Sequence, residues 1–213
     1  MKFIIMSGGS QKGFDTPRHL TKIAGEPLLD RTIRLLQTNG VEDIAVSSDN
    51  EQILEHARKI PGIEIIARPK SEGAWISTAF PIFTDTPVCY LFGDVVFSPK
   101  AINTIVKTQT LGIEFFASAP PFDKNIYPKR WAEPFAFKVV DNAHFSRARQ
   151  DVINLWTCYK VFKRQPIAWE LWQVIKETPI NIIDYANYTV INDYTCDIDD
   201  PKDVEWYNSR RFE

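Results

Sequence analysis

Short apolar runs separated by amphipathic stretches set the rhythm of the first half of this chain. Met1–Met6 has the nearly unbroken apolar character of a buried parallel strand. From Pro27 to about Thr38, Leu29, Ile33 and Leu36 recur on one face, which predicts a helix ended by Asn39-Gly40. Asp43–Ser48 reads as a second strand and Asn50–Ile60 as a helix stopped by Pro61-Gly62. Ile63–Ala67 reads as a third strand and Gly73–Phe83 as a third helix. Val88–Phe92 is a fourth apolar strand that closes on Gly93-Asp94, followed by a helix over Pro99–Leu111 and a strand over Phe115–Ala119. This βα alternation with short connections predicts a parallel sheet with helices on both faces.

The rhythm then changes. Ala119–Lys129 is Pro-rich and aperiodic, and reads as a loop over one edge of the sheet. Phe135–Val140 and Ile153–Phe162 look like longer, antiparallel strands, Trp169–Lys176 like a helix, and Ile180–Asp184 like a short strand. Pro201 is placed to open a final helix. No internal repeat or linker interrupts the chain. The expected fold is therefore a single three-layer α/β/α sandwich around a mixed, mostly parallel sheet. Residues 1–119 would form its regular βα half and residues 120–213 its less regular half.

Composition narrows the field without deciding it. A chain of 213 residues, 44% hydrophobic, is long enough to bury a well-formed core. Its formal charge of −2 argues against a nucleic-acid partner, which usually meets a basic surface. No apolar run approaches the roughly 20 residues that span a bilayer, and no signal peptide precedes the first strand, so a cytoplasmic protein without a membrane partner is expected. Cys89, Cys158 and Cys196 are odd in number and far apart, which suits reduced thiols rather than disulfides or zinc.

In open parallel sheets, ligands collect beyond the carboxyl ends of the strands. That rule gathers several groups on one rim. The first loop brings Ser7, Gly8, Gly9, Ser10, Lys12 and Arg18; the second strand ends in Ser47, Ser48 and Asp49; the third leads into Arg68, and the fourth into Asp94. Small residues let backbone N–H groups approach a phosphate, and the two cations neutralise it. The spacing is not that of a Walker loop. Magnesium takes one or two carboxylates together with phosphate oxygens and water, so Asp94 calls for a partner. Asp197-Ile198-Asp199-Asp200 supplies candidates: an apolar residue between two aspartates suggests extended chain with Asp197 and Asp199 on the same side. A competing role for Asp199 or Asp200 is to cap the last helix.

Three stretches together resemble the nucleotidyltransferases that activate sugars and related metabolites on a glycosyltransferase-A-like fold: the Gly8–Gly13 loop with Pro17-Arg18, Ala24–Leu29, and Val46–Ile53 followed by Arg68-Pro69. The chain is most similar to the cytidylyltransferases of sialic acid and Kdo. On that resemblance Lys12 and Arg18 would be the catalytic cations and Asp94 the metal site. Ile198–Asp203 resembles the family's I-D-T-P-E-D ending, which would make Asp199 the second magnesium ligand. The resemblance favours CTP as donor and implies a homodimer. The chain departs from the family's pattern at Ser10-Gln11-Lys12, where the loop is one residue longer, and at Glu26, where a lysine is frequent.

The sheet edge near Gly73 and Ala74 would approach the base. For the acceptor, Lys129 and Arg130 suit a carboxylate or phosphate, Trp131 a sugar face and Glu133 its hydroxyls. The expected reaction is magnesium-dependent transfer of a nucleoside monophosphate to a small phosphorylated or acidic acceptor, such as a sugar phosphate or sugar acid, for surface-glycan assembly. A glycosyltransferase of the same fold and a non-catalytic nucleotide- or sugar-binding relative are the competing readings. His19 lies near the loop, His56 reads as helix surface, and Trp156, Trp169 and Trp172 read as core.

Overall fold

The computed structural model describes residues 1–9, 13–70, 75–118, 132–180 and 187–210. Strand β1 (Lys2–Met6) leads through a 3-10 turn (Arg18–Leu20) to a small hairpin of β2 (Lys22–Ile23) and β3 (Glu26–Pro27). Then come α1 (Leu28–Thr38), β4 (Ile44–Ser48), α2 (Glu51–Ala57), β5 (Ile63–Ala67), α3 (Ile76–Ala79), β6 (Val88–Phe92), β7 (Val95–Val96), α4 (Pro99–Lys107) and β8 (Ile113–Ala117). The remainder is β9 (Pro134–Val139), α5 (Asn142–Thr157), α6 (Ala168–Ile175), β10 (Thr189–Val190), β11 (Cys196–Asp197) and α7 (Pro201–Asn208).

Seven strands form one sheet in the order β10-β8-β9-β6-β1-β4-β5. Only β9 runs against its neighbours, β6 and β8. Alternation along β1 shows how the sheet is buried on both sides. Phe3 and Ile5 pack with α1, α2 and α4, whereas Ile4 and Met6 pack with the aromatic layer of Tyr90, Phe137, Phe145, Trp169 and Trp172 over α3, α5 and α6. This is the expected three-layer, mostly parallel mixed α/β sandwich. Each fully buried side chain of this size contributes about 1.5–3 kcal/mol.

Two expectations are corrected. Ile153–Phe162 is not a strand: residues to Thr157 continue α5, whose first turn is capped by Asp141 Oδ1 accepting from the His144 amide at 2.8 Å. Phe145, Ala148 and Val152 bury one helical face, and that periodic burial overrides the β-branched and aromatic composition of the segment. The helix expected over Gly73–Phe83 is only Ile76–Ala79 among the described residues, because Phe80 turns extended before Pro81. His56 lies on α2 and is partly exposed, its Nε2 2.6 Å from Asp30 Oδ1 on α1. Residues 181–184 of the expected short strand lie outside the described residues.

A third apolar cluster shapes the site. Ile23, Leu28, Val96, Cys196, Ile198 and Tyr207 dock the C-terminal segment beside the first loop. Strand β11 pairs antiparallel with β7, Asp197 opposite Val95.

Candidate functional site

The carboxyl ends of β1, β4, β5 and β6 surround a cavity of about 470 Å³. Gly8, Gly9, Arg18, Asp49, Arg68 and Asp94 line its polar side; Trp75, Phe92, Ile167 and Ala168 line its apolar side, with Glu133 and Asp197 at the same cavity. Trp75 Nε1 donates to the Pro166 carbonyl at 2.9 Å, so the chain before α3 is tied to the chain before α6.

The first loop is held from beneath. The Ser48 hydroxyl donates to the Ser7 carbonyl and accepts from the Asn50 amide at 3.1 Å. Both serines are fully buried, and the bond between them ties the first loop to the end of β4. Gly9, at φ 92, takes a backbone conformation that favours glycine. A Cβ on Gly8 would run into Arg68 Nη2 and come within 2.9 Å of Asp49 Oδ1. The Arg68 guanidinium thus lies against the loop backbone, anchored by Nη1 donating to the Thr78 carbonyl at 2.9 Å.

Asp94 lies in the two-residue turn between β6 and β7. Its carbonyl accepts from the Ile198 amide at 2.9 Å, which fixes the C-terminal segment against it. Ile198 is buried, so Asp197 and Asp199 project to the opposite side as the alternation required. Asp200 takes the capping role, accepting from the Lys202 amide at 2.7 Å, while Asp203 Oδ2 accepts from the Asp199 amide at 2.7 Å. The Asp199 carboxylate is left to face Arg18: Nη1 lies 3.5 Å from Asp199 Oδ1 and Nη2 2.6 Å from Asp94 Oδ2.

Glu133 lies beside this group. Its backbone is pinned to Ser118, and its carboxylate joins those of Asp197 and Asp199, with one ligand atom from each lying within 4.8 Å of the others. An all-oxygen set of this kind fits a hard divalent cation. The meeting of Glu133 with Asp197 and Asp199 was not legible in the sequence pattern, because β11 pairs with β7 while β9, which follows Glu133, pairs with β6 and β8.

His19 lies beneath the pair of Arg18 and Asp94. It is almost fully buried, and neither ring nitrogen has a hydrogen-bond partner among the described residues. Burial pushes its pKa down to about 4, so the ring is neutral near pH 7. Ser10, Lys12, Gly73, Ala74, Lys129, Arg130 and Trp131 lie outside the described residues.

A family model described as the MobA-like NTP transferase domain matches residues 3–138. The chain belongs to this NTP transferase family. Among solved structures, a protein assigned as a glucose-1-phosphate thymidylyltransferase from Bacillus anthracis, in complex with sucrose, superimposes with a TM-score of 0.61. The alignment covers 98% of this chain and 94% of that one, at 12% identity, which is likeness of fold. No curated protein matches. Asp197 and Asp199 lie beyond the family-matched span, in the segment that this NTP transferase docks onto β7. Among its described residues no helix is long and apolar enough to cross a membrane.

Proposed function

We propose that this NTP transferase moves a nucleoside monophosphate from a nucleoside triphosphate, CTP in preference, to a sugar phosphate, sugar acid or similar small polar acceptor. The observation that carries the reading is the convergence of the Gly8-Gly9 backbone, Arg18, Arg68, Asp94 and Asp199 at the carboxyl ends of the strands, beside a 470 Å³ cavity. The preference for CTP rests on the likeness of the loop and of the Ile198–Asp203 ending to cytidylyltransferases.

An acceptor oxygen attacks the α-phosphorus in line, the bond to the β-phosphate breaks, and pyrophosphate leaves with the electron pair. A phosphate or carboxylate acceptor is already ionised at neutral pH, so no side chain is needed to remove its proton. Gly8 and Gly9 bring backbone N–H groups to the phosphates, and Lys12 and Arg18 hold the leaving pyrophosphate. Arg68, backed by Thr78, fixes the nucleotide against the loop. Asp94 and Asp199, with Asp197 and Glu133 beside them, would hold magnesium, which when bound offsets charge on the phosphoryl oxygens. Glu133, and Lys129, Arg130 and Trp131 from the preceding segment, are assigned to the acceptor side.

Pyrophosphate release with each of the four nucleoside triphosphates, magnesium and a pooled set of sugar phosphates and sugar acids tests the reading. Release that requires one triphosphate and one acceptor together supports it. Binding of a triphosphate without turnover, across a broad acceptor pool, points instead to a non-catalytic relative.

A further inference from the structure

The Arg18 guanidinium stands between the two carboxylates assigned to the metal. Nη2 pairs with Asp94 Oδ2 at 2.6 Å, and Nη1 lies 3.5 Å from Asp199 Oδ1 and donates to the Ile198 carbonyl at 3.3 Å. The side chains of Arg18 and Asp94 are both largely shielded, at 16% and 19% exposure, so this pair is weakly screened by solvent. A magnesium ion binds a carboxylate oxygen at about 2.1 Å. An ion at that distance from Asp94 Oδ2 sits against the guanidinium, and two cations in such contact repel strongly. The two compete for Asp94 Oδ2.

From this geometry we infer that Arg18 is an exchangeable internal counter-ion, which keeps the metal carboxylates neutralised in the free protein and gives them up only when a triphosphate offers it another anion. The inference rests on the nucleotidyltransferase reading and adds to it a coupling: divalent metal binds poorly before the nucleotide and well with it. The path for the exchange is short. The backbone of Arg18 is held in its 3-10 turn, with the Leu20 amide donating to Pro17 at 2.7 Å and the Thr21 amide to Arg18 at 3.1 Å. A Cβ on Gly9 would meet Arg18 Nη2 at 3.9 Å, so the guanidinium already borders the phosphate loop and only its side chain has to turn. Whatever anion takes Arg18 away favours the metal, and the metal favours that anion by the same factor.

The test is Mn²⁺ binding to the nucleotide-free protein, followed by electron paramagnetic resonance of the unbound ion. Arg18→Gln is expected to bind Mn²⁺ at least about tenfold more tightly than wild type, a usual size for coupling between sites. Arg18→Lys, which keeps the charge, stays within a few-fold of wild type, and adding Asp94→Asn to Arg18→Gln removes the gain. Arg18→Met, which keeps the aliphatic stem, replaces the Gln variant if circular dichroism shows the latter unfolded. Equal or weaker binding by a folded Arg18→Gln or Arg18→Met protein overturns the counter-ion role, even where Asp94→Asn still abolishes binding. Binding indifferent to Asp94 in every variant overturns the metal assignment beneath it as well.

Discussion

The Ile198 amide donates to the Asp94 carbonyl at 2.9 Å, binding the end of β6 to a segment from the far end of the chain. Two carboxylates distant in sequence are thereby set on either side of one arginine. Asp94→Asn and Asp199→Asn should each lower turnover by about 100-fold or more, because each removes a charge that the proposed mechanism uses to hold the metal. Neither side chain is core, so the melting temperature should stay within about 4 °C of wild type. Steady-state pyrophosphate release and thermal unfolding, measured on the same preparations, check both halves of this expectation.

Ile198 is the apolar pin between Asp197 and Asp199, and it is fully buried. Ile198→Ala should cost about 2–4 kcal/mol in a urea titration. The loss should fall on catalysis too, since loosening β11 against β7 displaces both aspartates. A variant that is destabilised but fully active at saturating metal would contradict that coupling.

Two glycines of the site differ in what surrounds them. A Cβ at Gly8 meets the ends of the Arg68 and Asp49 side chains, which can turn away, whereas one at Gly93 meets the Met6 backbone carbonyl at 2.7 Å and Ser7 Oγ at 2.5 Å. Gly93→Ala should therefore destabilise by about 1–3 kcal/mol. Gly8→Ala should fold nearly as well as wild type and bind nucleotide about tenfold more weakly through the displaced Arg68. Unfolding curves and calorimetric titration with a triphosphate separate the two outcomes.

His19 makes stability depend on acid. Its pKa falls from the ordinary 6.5 to about 4 on folding, so between those values the unfolded chain takes up a proton that the folded one refuses. The stabilisation is fully present above about pH 6.5 and is lost as the pH falls toward 4, amounting to about 3 kcal/mol over the interval. In urea titrations at pH 7 and pH 5, wild type should lose more stability than His19→Gln. Parallel losses in the two proteins would show that other groups carry the acid sensitivity.

Much of the architecture was legible because β1, β4 and β6 are largely buried on both faces and the helices beside them carry one apolar stripe each. Pairing Asp197 with Asp199 needed only the alternation of an extended chain. What failed was local composition read without tertiary context: Thr157, Tyr159 and Val161 suggest a strand, yet the burial of Phe145, Ala148 and Val152 at helical spacing carries α5 to Thr157. The bond from Ser48 to Ser7 was hidden for a similar reason. A hydroxyl at a strand end looks available to a ligand until Ser7 is seen to take it. The grouping of Glu133 with two aspartates joins segments far apart in the chain that no shared strand pairing links, and no periodicity records that.

The order of assembly has a consequence for unfinished chains. Sheet, phosphate loop and Asp94 all precede the segment at Cys196–Asp199. A polypeptide released before that point carries the family-defining span and one of the paired carboxylates, with Arg18 facing Asp94 alone. On the proposed function, chemistry would begin only once the Cys196–Asp199 segment has been made, so a product aborted before it would be inert toward the cell's nucleotide pool rather than wasteful of it.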